Sequence, residues 1–351
     1  MGTGKPSHRK PSRKKRRFRI AILASLVTVI LLLGGGLVYV LYLLGLVDFV
    51  KTNWGLGINS DILESDGYDP GVDGIVPNDP VDINDIAASV EDIKVQGNTK
   101  VVTNILLLGV ETGKKDVYTG RADSIIIASI NKHTKTIKLI SLLRDNYVTV
   151  PGWARDKLNA AYSRGGFPLL QQTIEKNFRL RIDKFIAVNF SAFSAIVDAM
   201  GGVDIELTEQ ELKYVKVDGK TGGAYHLSGT QALNYSRIRK IGDDWGRTSR
   251  QRKVIRALMK KAKSISPVQY PGILNKLLDK ASTNMERTEF LGYLVNAPGY
   301  LKYAVEEYHL PGRSECKTVY VPIPGSSLYM EALELNDPKA AVIELHHQIY
   351  G

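Results

Sequence analysis

The pattern of apolar and polar positions divides the chain into three stretches. From Ile20 to Val47 no charged residue occurs over 28 positions, longer than the ~20 apolar residues that cross a hydrocarbon core. Gly34, Gly35 and Gly36 sit in its middle, which suits a membrane helix better than a buried soluble one. The competing reading is a cleaved signal peptide. Its apolar run would be only about 7–15 residues, with a small-residue cleavage site behind it. Leu46-Val47-Asp48-Phe49-Val50 offers no such site, so the pattern predicts one transmembrane helix over 20–47. Residues 48–100 lose the apolar periodicity. Acids outnumber bases, and Pro70, Pro77 and Pro80 interrupt any regular element. This stretch reads as a flexible acidic extracytoplasmic linker with room for one short helix between Asp82 and Asp92.

Periodicity returns at Val101, and 101–351 reads as a single extracytoplasmic domain. Val101–Val110 is a short apolar run ending near a glycine, which suits a buried strand. Ser124–Asn131 and Thr136–Leu142 are β-branched runs around a Lys-His-Thr-Lys turn and predict a hairpin. Lys184–Asn189, Val203–Leu207 and Lys317–Pro322 are further strand candidates. Helical spacing marks Phe167–Leu180, Phe190–Met200 (closed by Gly201-Gly202), Arg247–Lys263 and the region from Val268 to Asn296. Strands interleaved with helices indicate an α/β fold, a mixed central β-sheet flanked by helices.

Charge sharpens the topology. The net charge of +11 would suit a nucleic-acid binder, but nine Lys and Arg lie in residues 1–19 with no acid among them, and the remainder is close to balanced. A basic tail before an apolar span stays in the cytoplasm, which places the large domain outside and leaves no nucleic-acid partner for it. The single cysteine, Cys316, excludes an intrachain disulfide, so the exported domain depends on its core.

Arginines punctuate the ends of the predicted elements: Arg121 within GRADS, Arg144 within LRD, Arg237 and Arg239 within YSRIRK, then Arg247 and Arg250-Gln251-Arg252. A guanidinium fork binds phosphate oxygens bidentately and stays charged, and ligands of open α/β sheets gather at strand ends. Arg237 and Arg239 would share a face on a strand and diverge on a helix. Glu111 and Asp123 are placed to converge on a hard cation, or equally to cap turns. Mg²⁺ needs only one or two carboxylates beside substrate phosphates. Most of the cations in Arg247–Lys263 read as the solvated face of an amphipathic helix.

Taken in order, NILLLGVET, RADSIIIASINKHTKTIKLISLLRD, KLNAAYSRGG, VDAMGGV, LSGTQALNYSRIRK and DWGRTSRQRKV resemble the LytR-CpsA-Psr family of bacterial cell-wall proteins over about Asn104 to Met259. The resemblance implies a phosphotransferase. Such enzymes move teichoic acids, capsular polysaccharides or related anionic glycopolymers from a polyprenyl-pyrophosphate carrier to peptidoglycan, forming a phosphodiester with the muramic acid 6-hydroxyl. It implies an apolar tunnel for the polyprenyl chain between sheet and helices, with the pyrophosphate at its mouth under arginines and Mg²⁺ (or Mn²⁺).

Carried over residue by residue, Arg121, Arg144, Arg237, Arg239 and Arg247 fall at the pyrophosphate and Asp123 becomes the principal metal carboxylate. Asp145, Lys157, Asn159 and Gln251 fall in matching segments as supporting groups. Two departures stand out. Glu111 replaces the Asp usual after Gly-Val, and Leu143 replaces the proline common before the Arg-Asp pair. Phe167, Leu170, Ile174, Phe190, Phe193 and Val197 are candidate tunnel residues, and Asp123 or Asp145 is a candidate base. Hydrolysis of the same donor, a non-catalytic wall-polymer-binding module and a membrane-anchored regulator are the rival readings. The 19-residue tail is too short to fold a recognition domain for the last of these.

Overall fold

A computed structural model describes residues 48–49, 85–111, 120–265, 281–323 and 328–351. The chain divides into two units, 1–46 and 47–351, and every described residue belongs to the second. The transmembrane helix expected at 20–47 and most of the expected linker lie outside the described residues. No helix among the described residues is long and apolar enough to cross a membrane.

In chain order the elements are β1 (Asp48–Phe49), α1 (Ile86–Ser89), β2 (Val102–Glu111), β3 (Arg121–Asn131), β4 (Thr136–Leu142), β5 (Tyr147–Val148) and β6 (Asp156–Lys157). There follow α2 (Leu158–Phe178), β7 (Lys184–Asn189), α3 (Phe190–Ala199), β8 (Val203–Leu207), α4 (Glu209–Val215), β9 (Gly223–Leu227), α5 (Gly229–Ser236) and α6 (Asp244–Ser264). The last are β10 (Ala281–Thr283), α7 (Arg287–Tyr300), β11 (Ala304–Leu310), β12 (Cys316–Pro322), β13 (Tyr329–Leu335) and α8 (Pro338–Tyr350).

The central sheet has the order β1-β10-β7-β2-β3-β4-β11. Both β2–β3 and β3–β4 are antiparallel, while β2–β7 and β4–β11 are parallel, so the sheet is mixed as expected. The β3–β4 hairpin turns where the sequence indicates. Asn131 Oδ1 accepts from the backbone of His133 and Thr134, and Lys135 takes the left-handed conformation at φ 55°. β8 pairs with β9, and β12 with β13, in separate two-stranded ribbons. The predicted strand at 203–207 therefore exists but lies outside the central sheet.

One face of the sheet packs Leu106, Leu108, Ile125, Ile127 and Ile140 against Phe167, Leu170 and Ile174 of α2 and Val342 and Leu345 of α8. The opposite face is covered by α3, α5 and α6. Burying each such aliphatic or aromatic side chain contributes on the order of 1.5–3 kcal/mol. A smaller core joins Val197, Val203, Leu227, Tyr235 and Val254 beneath those helices.

Three boundaries differ from the sequence expectation. α2 begins at Leu158 and kinks at Gly165-Gly166, where Gly166 has φ 59°; helical spacing becomes legible only after the kink. α6 begins at Asp244 because the Asp243 side chain caps Gly246 N at 3.0 Å. The packed domain also includes residues ahead of Val101. Ile86 and Val90 are fully buried in the main core, and Thr149 Oγ1 donates to Asp85 Oδ1 at 2.9 Å. Two apolar residues one helical turn apart anchor this otherwise acidic segment.

Candidate active site

The site forms where β2 and β3 part. Their register runs Gly109 to Ser124 and then Val110 to Ala122, leaving Asp123 as the extra residue of a β-bulge. A bulge locally bends and twists its strand and re-aims a side chain. Asp123 is 12% exposed, and its Oδ1 accepts from Arg144 Nη1 at 2.6 Å and lies 3.6 Å from Arg239 Nη2. Its Oδ2 has no partner among the described residues.

Arg144 leaves the end of β4 in a tied turn. Leu143 N bonds Leu310 O at 2.9 Å, Asn146 Nδ2 bonds Leu143 O at 2.9 Å, and Asn159 N bonds Arg144 O at 3.1 Å. Asn159 thus serves through its backbone. Burial alone would lower the Arg144 pKa, but Asp145, Asp244 and Asp123 together hold it above its ordinary value. Asp145 takes Arg144 Nε at 3.3 Å and Lys157 Nζ at 3.3 Å. Burial works to raise the Asp145 carboxyl; Arg144, Lys157 and Arg247 outweigh it and leave the pKa below the usual value.

Asp244, at the start of α6, is absent from the sequence-derived set. It receives Arg247 Nη2 at 2.7 Å, lies 3.7 Å from Arg144 Nε, and hydrogen-bonds the Asp145 carboxyl. Burial and then the charge of Asp145 push it up to about 6, against Arg247 and Arg144. Two carboxyls this close favour holding a proton between them. The signal available in the sequence was an Asp pair directly before the arginine helix, which reads naturally as capping; Asp243 performs that role and Asp244 does not.

Arg247 is 3% exposed, and its Nε and Nη1 have no hydrogen-bond partner among the described residues. Burial pulls its pKa below the ordinary guanidinium value. One turn on, Gln251 Oε1 is likewise buried and has no partner among the described residues. Unsatisfied buried polar atoms are costly and uncommon, and both side chains line one cavity of about 240 Å³.

Asp123, Arg237 and Arg239 border the same end of that cavity. Its remaining wall is apolar: Leu107, Ile126, Ile186 and Val188 from the sheet, Phe190, Phe193 and Ile196 from α3, Leu233 from α5, Ile255 and Leu258 from α6. Phe190 and Phe193 therefore stand where the tunnel expectation put them. Phe167, Leu170 and Ile174 do not, because α2 lies on the other face of the sheet, and Val197 turns into the smaller core.

Arg237 caps α5 at its C-terminus and Arg239 follows in the next loop, so neither strand alternation nor helical divergence applies; the turn itself brings both to the cavity. Arg237 lies over the Phe190 ring at 4.2 Å and pairs with Glu111 at 2.9 Å on the exposed rim. Arg121 heads β3 opposite Glu111 in register and is not part of the cavity wall. Arg144, Asp145 and Lys157 stand behind Asp123 as a charged support.

The arrangement suits a ligand with an anionic head and an apolar tail. Among the described residues no three His, Cys, Asp or Glu side chains cluster as a protein-only metal site. The open oxygen of Asp123 fits a cation completed by substrate phosphates. Glu111, already engaged by Arg237, fits that role less well.

Residues 78–336 match the sequence model of the LytR_cpsA_psr family. A relative from Enterococcus faecalis, the polyisoprenyl-teichoic acid–peptidoglycan teichoic acid transferase TagU, is 37% identical over 199 residues, covering 55% of this chain and 64% of that protein. The structure of TagT bound to LIIa-WTA is 25% identical, with a TM-score of 0.57, over 71% of this chain and 91% of that one. The family protein YwtF (TagT) with bound octaprenyl pyrophosphate lipid is 25% identical, with a TM-score of 0.53, over 74% and 95%. The match reaches beyond the motif-bearing stretch in both directions, taking in α1 and the ribbon of β12 and β13. This chain belongs to the LytR_cpsA_psr family.

Proposed function

We propose that this protein transfers an anionic glycopolymer, such as a teichoic acid or capsular polysaccharide, from a polyisoprenyl-diphosphate carrier to a hydroxyl of peptidoglycan. The observation that carries the reading is an apolar cavity ending at Arg247, whose buried Nε–H and Nη1–H have no acceptor among the described residues. A relative that transfers polyisoprenyl-linked teichoic acid and a neighbour holding a polyprenyl pyrophosphate support it.

In this reading the prenyl chain occupies the apolar cavity, and Arg237, Arg239 and Arg247 bind the diphosphate oxygens. Asp123 would hold Mg²⁺ or Mn²⁺ through its open oxygen; the cation supplies charge neutralisation on the diphosphate. The acceptor hydroxyl attacks the phosphorus joined to the glycopolymer. One P–O bond forms, the P–O bond to the polyprenyl phosphate breaks, and the arginines stabilise the charge that develops on the departing phosphate. Of the two acids weighed as a base, Asp145 is held by Arg144 and Lys157, and Asp123 by Arg144 and Arg239. Asp244 is engaged in the same way by Arg247 and Arg144 and is not part of the cavity wall, so it supports the arginines of the mouth. The chain is anchored by residues 20–47 with the domain outside the cell.

The test uses the full chain in detergent with a polyprenyl-diphosphate glycan and peptidoglycan oligomers, with products read by mass spectrometry. A glycan phosphodiester on the oligomer is expected. Its rate should fall on the order of 10²-fold in Arg237→Ala, and it should vanish with a chelator and return with Mg²⁺. Release of polyprenyl phosphate without an acceptor product would convert the reading to hydrolysis. Intact, bound donor would convert it to a binding module.

A further inference from the structure

Outside the catalytic cavity, a groove of about 580 Å³ lies between α6, β8 and the start of β11. Lys253, Arg256, Lys260 and Lys263 line it from α6. At 100° per residue these four fall within an arc of about 80° on the solvent side. Arg256 pairs with Glu307 at 3.0 Å. Lys253, Lys260 and Lys263 have no ion-pair partner among the described residues, and all three are exposed. Two acids border the groove: Asp204, engaged by His226 at 2.7 Å, and the exposed Glu206.

The position of this stripe on α6 identifies what it faces. The opposite side of the same helix lines the cavity through Arg247, Gln251, Ile255 and Leu258, so the cavity runs along α6 from its polar mouth to an apolar end about 16 Å away. The basic stripe flanks the apolar half. If the site holds a lipid diphosphate, as proposed above, the glycopolymer hangs from the Arg247 end and the tail from the Leu258 end. A tail supplied by a bilayer must enter from that membrane, so the unpaired lysines lie where headgroup phosphates are and away from the polymer.

We infer that the Lys253–Lys263 face of α6 is a docking surface for anionic phospholipid headgroups, holding the apolar end of the cavity against the bilayer. Each lysine near such a surface adds about fivefold to membrane partition, and three unpaired lysines on one face are enough to orient a domain that is already tethered.

The full chain reconstituted without donor in nanodiscs of phosphatidylglycerol or phosphatidylcholine tests this by lysine acylation footprinting. Lys253, Lys260 and Lys263 should be labelled about fivefold more slowly in phosphatidylglycerol, and the protection should fade as salt rises to about 0.5 M. Lys240, exposed in the loop beside Arg239 at the polar mouth, should react equally in both. Equal labelling of the stripe in the two lipids overturns the inference. So does protection produced in phosphatidylcholine by soluble poly(glycerol phosphate), which would assign the face to the polymer. Because no turnover is needed, failure here is separable from failure of the transferase reading. A Lys253→Gln, Lys260→Gln, Lys263→Gln variant in phosphatidylglycerol should turn over a bilayer-held donor about tenfold more slowly and a short-tailed soluble donor at the unchanged rate. Equal loss with both donors overturns the assignment.

Discussion

Arg144 is shared by two acids from different elements, Asp123 from a bulged strand at 2.6 Å and Asp244 from a helix start at 3.7 Å. Its charge lets three carboxyls gather in a half-buried space, and the least stabilised of them, Asp244, is the one whose pKa rises. Because the folded value of about 6 exceeds the ordinary 3.8, Asp244 takes up a proton on folding. The stability it contributes is fully present below about pH 4 and is lost as pH rises through about 6. The stability of the wild type relative to Asp244→Asn should therefore decline between pH 4 and 7, by up to about 3 kcal/mol. Denaturant titrations across that range measure the difference; one that stays flat or grows with pH would show that Asp244 folds as an ordinary carboxylate. Asp145 has the opposite sign: the stability from its lowered pKa is present above the usual carboxylate range and is lost on acidification.

Helix α6 serves the cavity from one side, with Arg247 and Gln251 at the mouth and Ile255 and Leu258 in the apolar wall, and carries its exposed lysines on the other. Its register is set by Arg252, 1% exposed, which donates from Nε to Glu307 Oε2 at 2.9 Å and also meets Ser141 and His309. Truncating one partner of such a pair leaves a buried charge uncompensated, at a cost of about 3 kcal/mol or more. Glu307→Ala should lower the melting temperature accordingly and weaken diphosphate binding, although Glu307 touches no part of the cavity. On the facing element, Phe193→Trp should fill part of the cavity. Affinity for a long-chain polyprenyl diphosphate is expected to fall about tenfold or more, with a short-chain analogue affected far less, as read by titration calorimetry. Equal weakening of both ligands would place the tail elsewhere. Helical spacing made α3 and α6 legible in advance. It did not reveal β11, whose Glu306 and Glu307 interrupt the apolar run, because one of those acids is there to pair with an arginine from another element.

At the scale of the whole chain, one cysteine leaves a domain held by its cores and by no intrachain cross-link. Reductant should leave the melting temperature unchanged, and burial, which pushes the Cys316 thiol up to about 11, should keep alkylation slow at neutral pH. A reductant-dependent melt would point to a linkage between chains. The molecule also joins two chemistries that ordinarily avoid each other, a row of guanidinium groups and an aliphatic cavity. The sheet makes this tolerable by presenting Asp123 and the strand ends to the arginines and Leu107, Ile126 and Ile186 to the apolar cavity.

What the sequence alone determined follows from local periodicity and from residue chemistry: the 28-residue uncharged span, the mixed α/β character, the β3–β4 hairpin, and the gathering of arginines at the ends of elements. Those features depend on residues near one another in the chain, or on side-chain properties that no fold alters. The tertiary structure decided which face each element presents and which charges meet. It turned Phe167, Leu170 and Ile174 into core while Phe190 and Phe193 line the cavity, tied Glu111 to Arg237, raised Asp244 beside Asp145, and set Ile86 and Val90 into the domain. Each outcome rests on a contact between residues far apart in sequence, and a local pattern of polar and apolar positions holds no record of which distant partner will arrive.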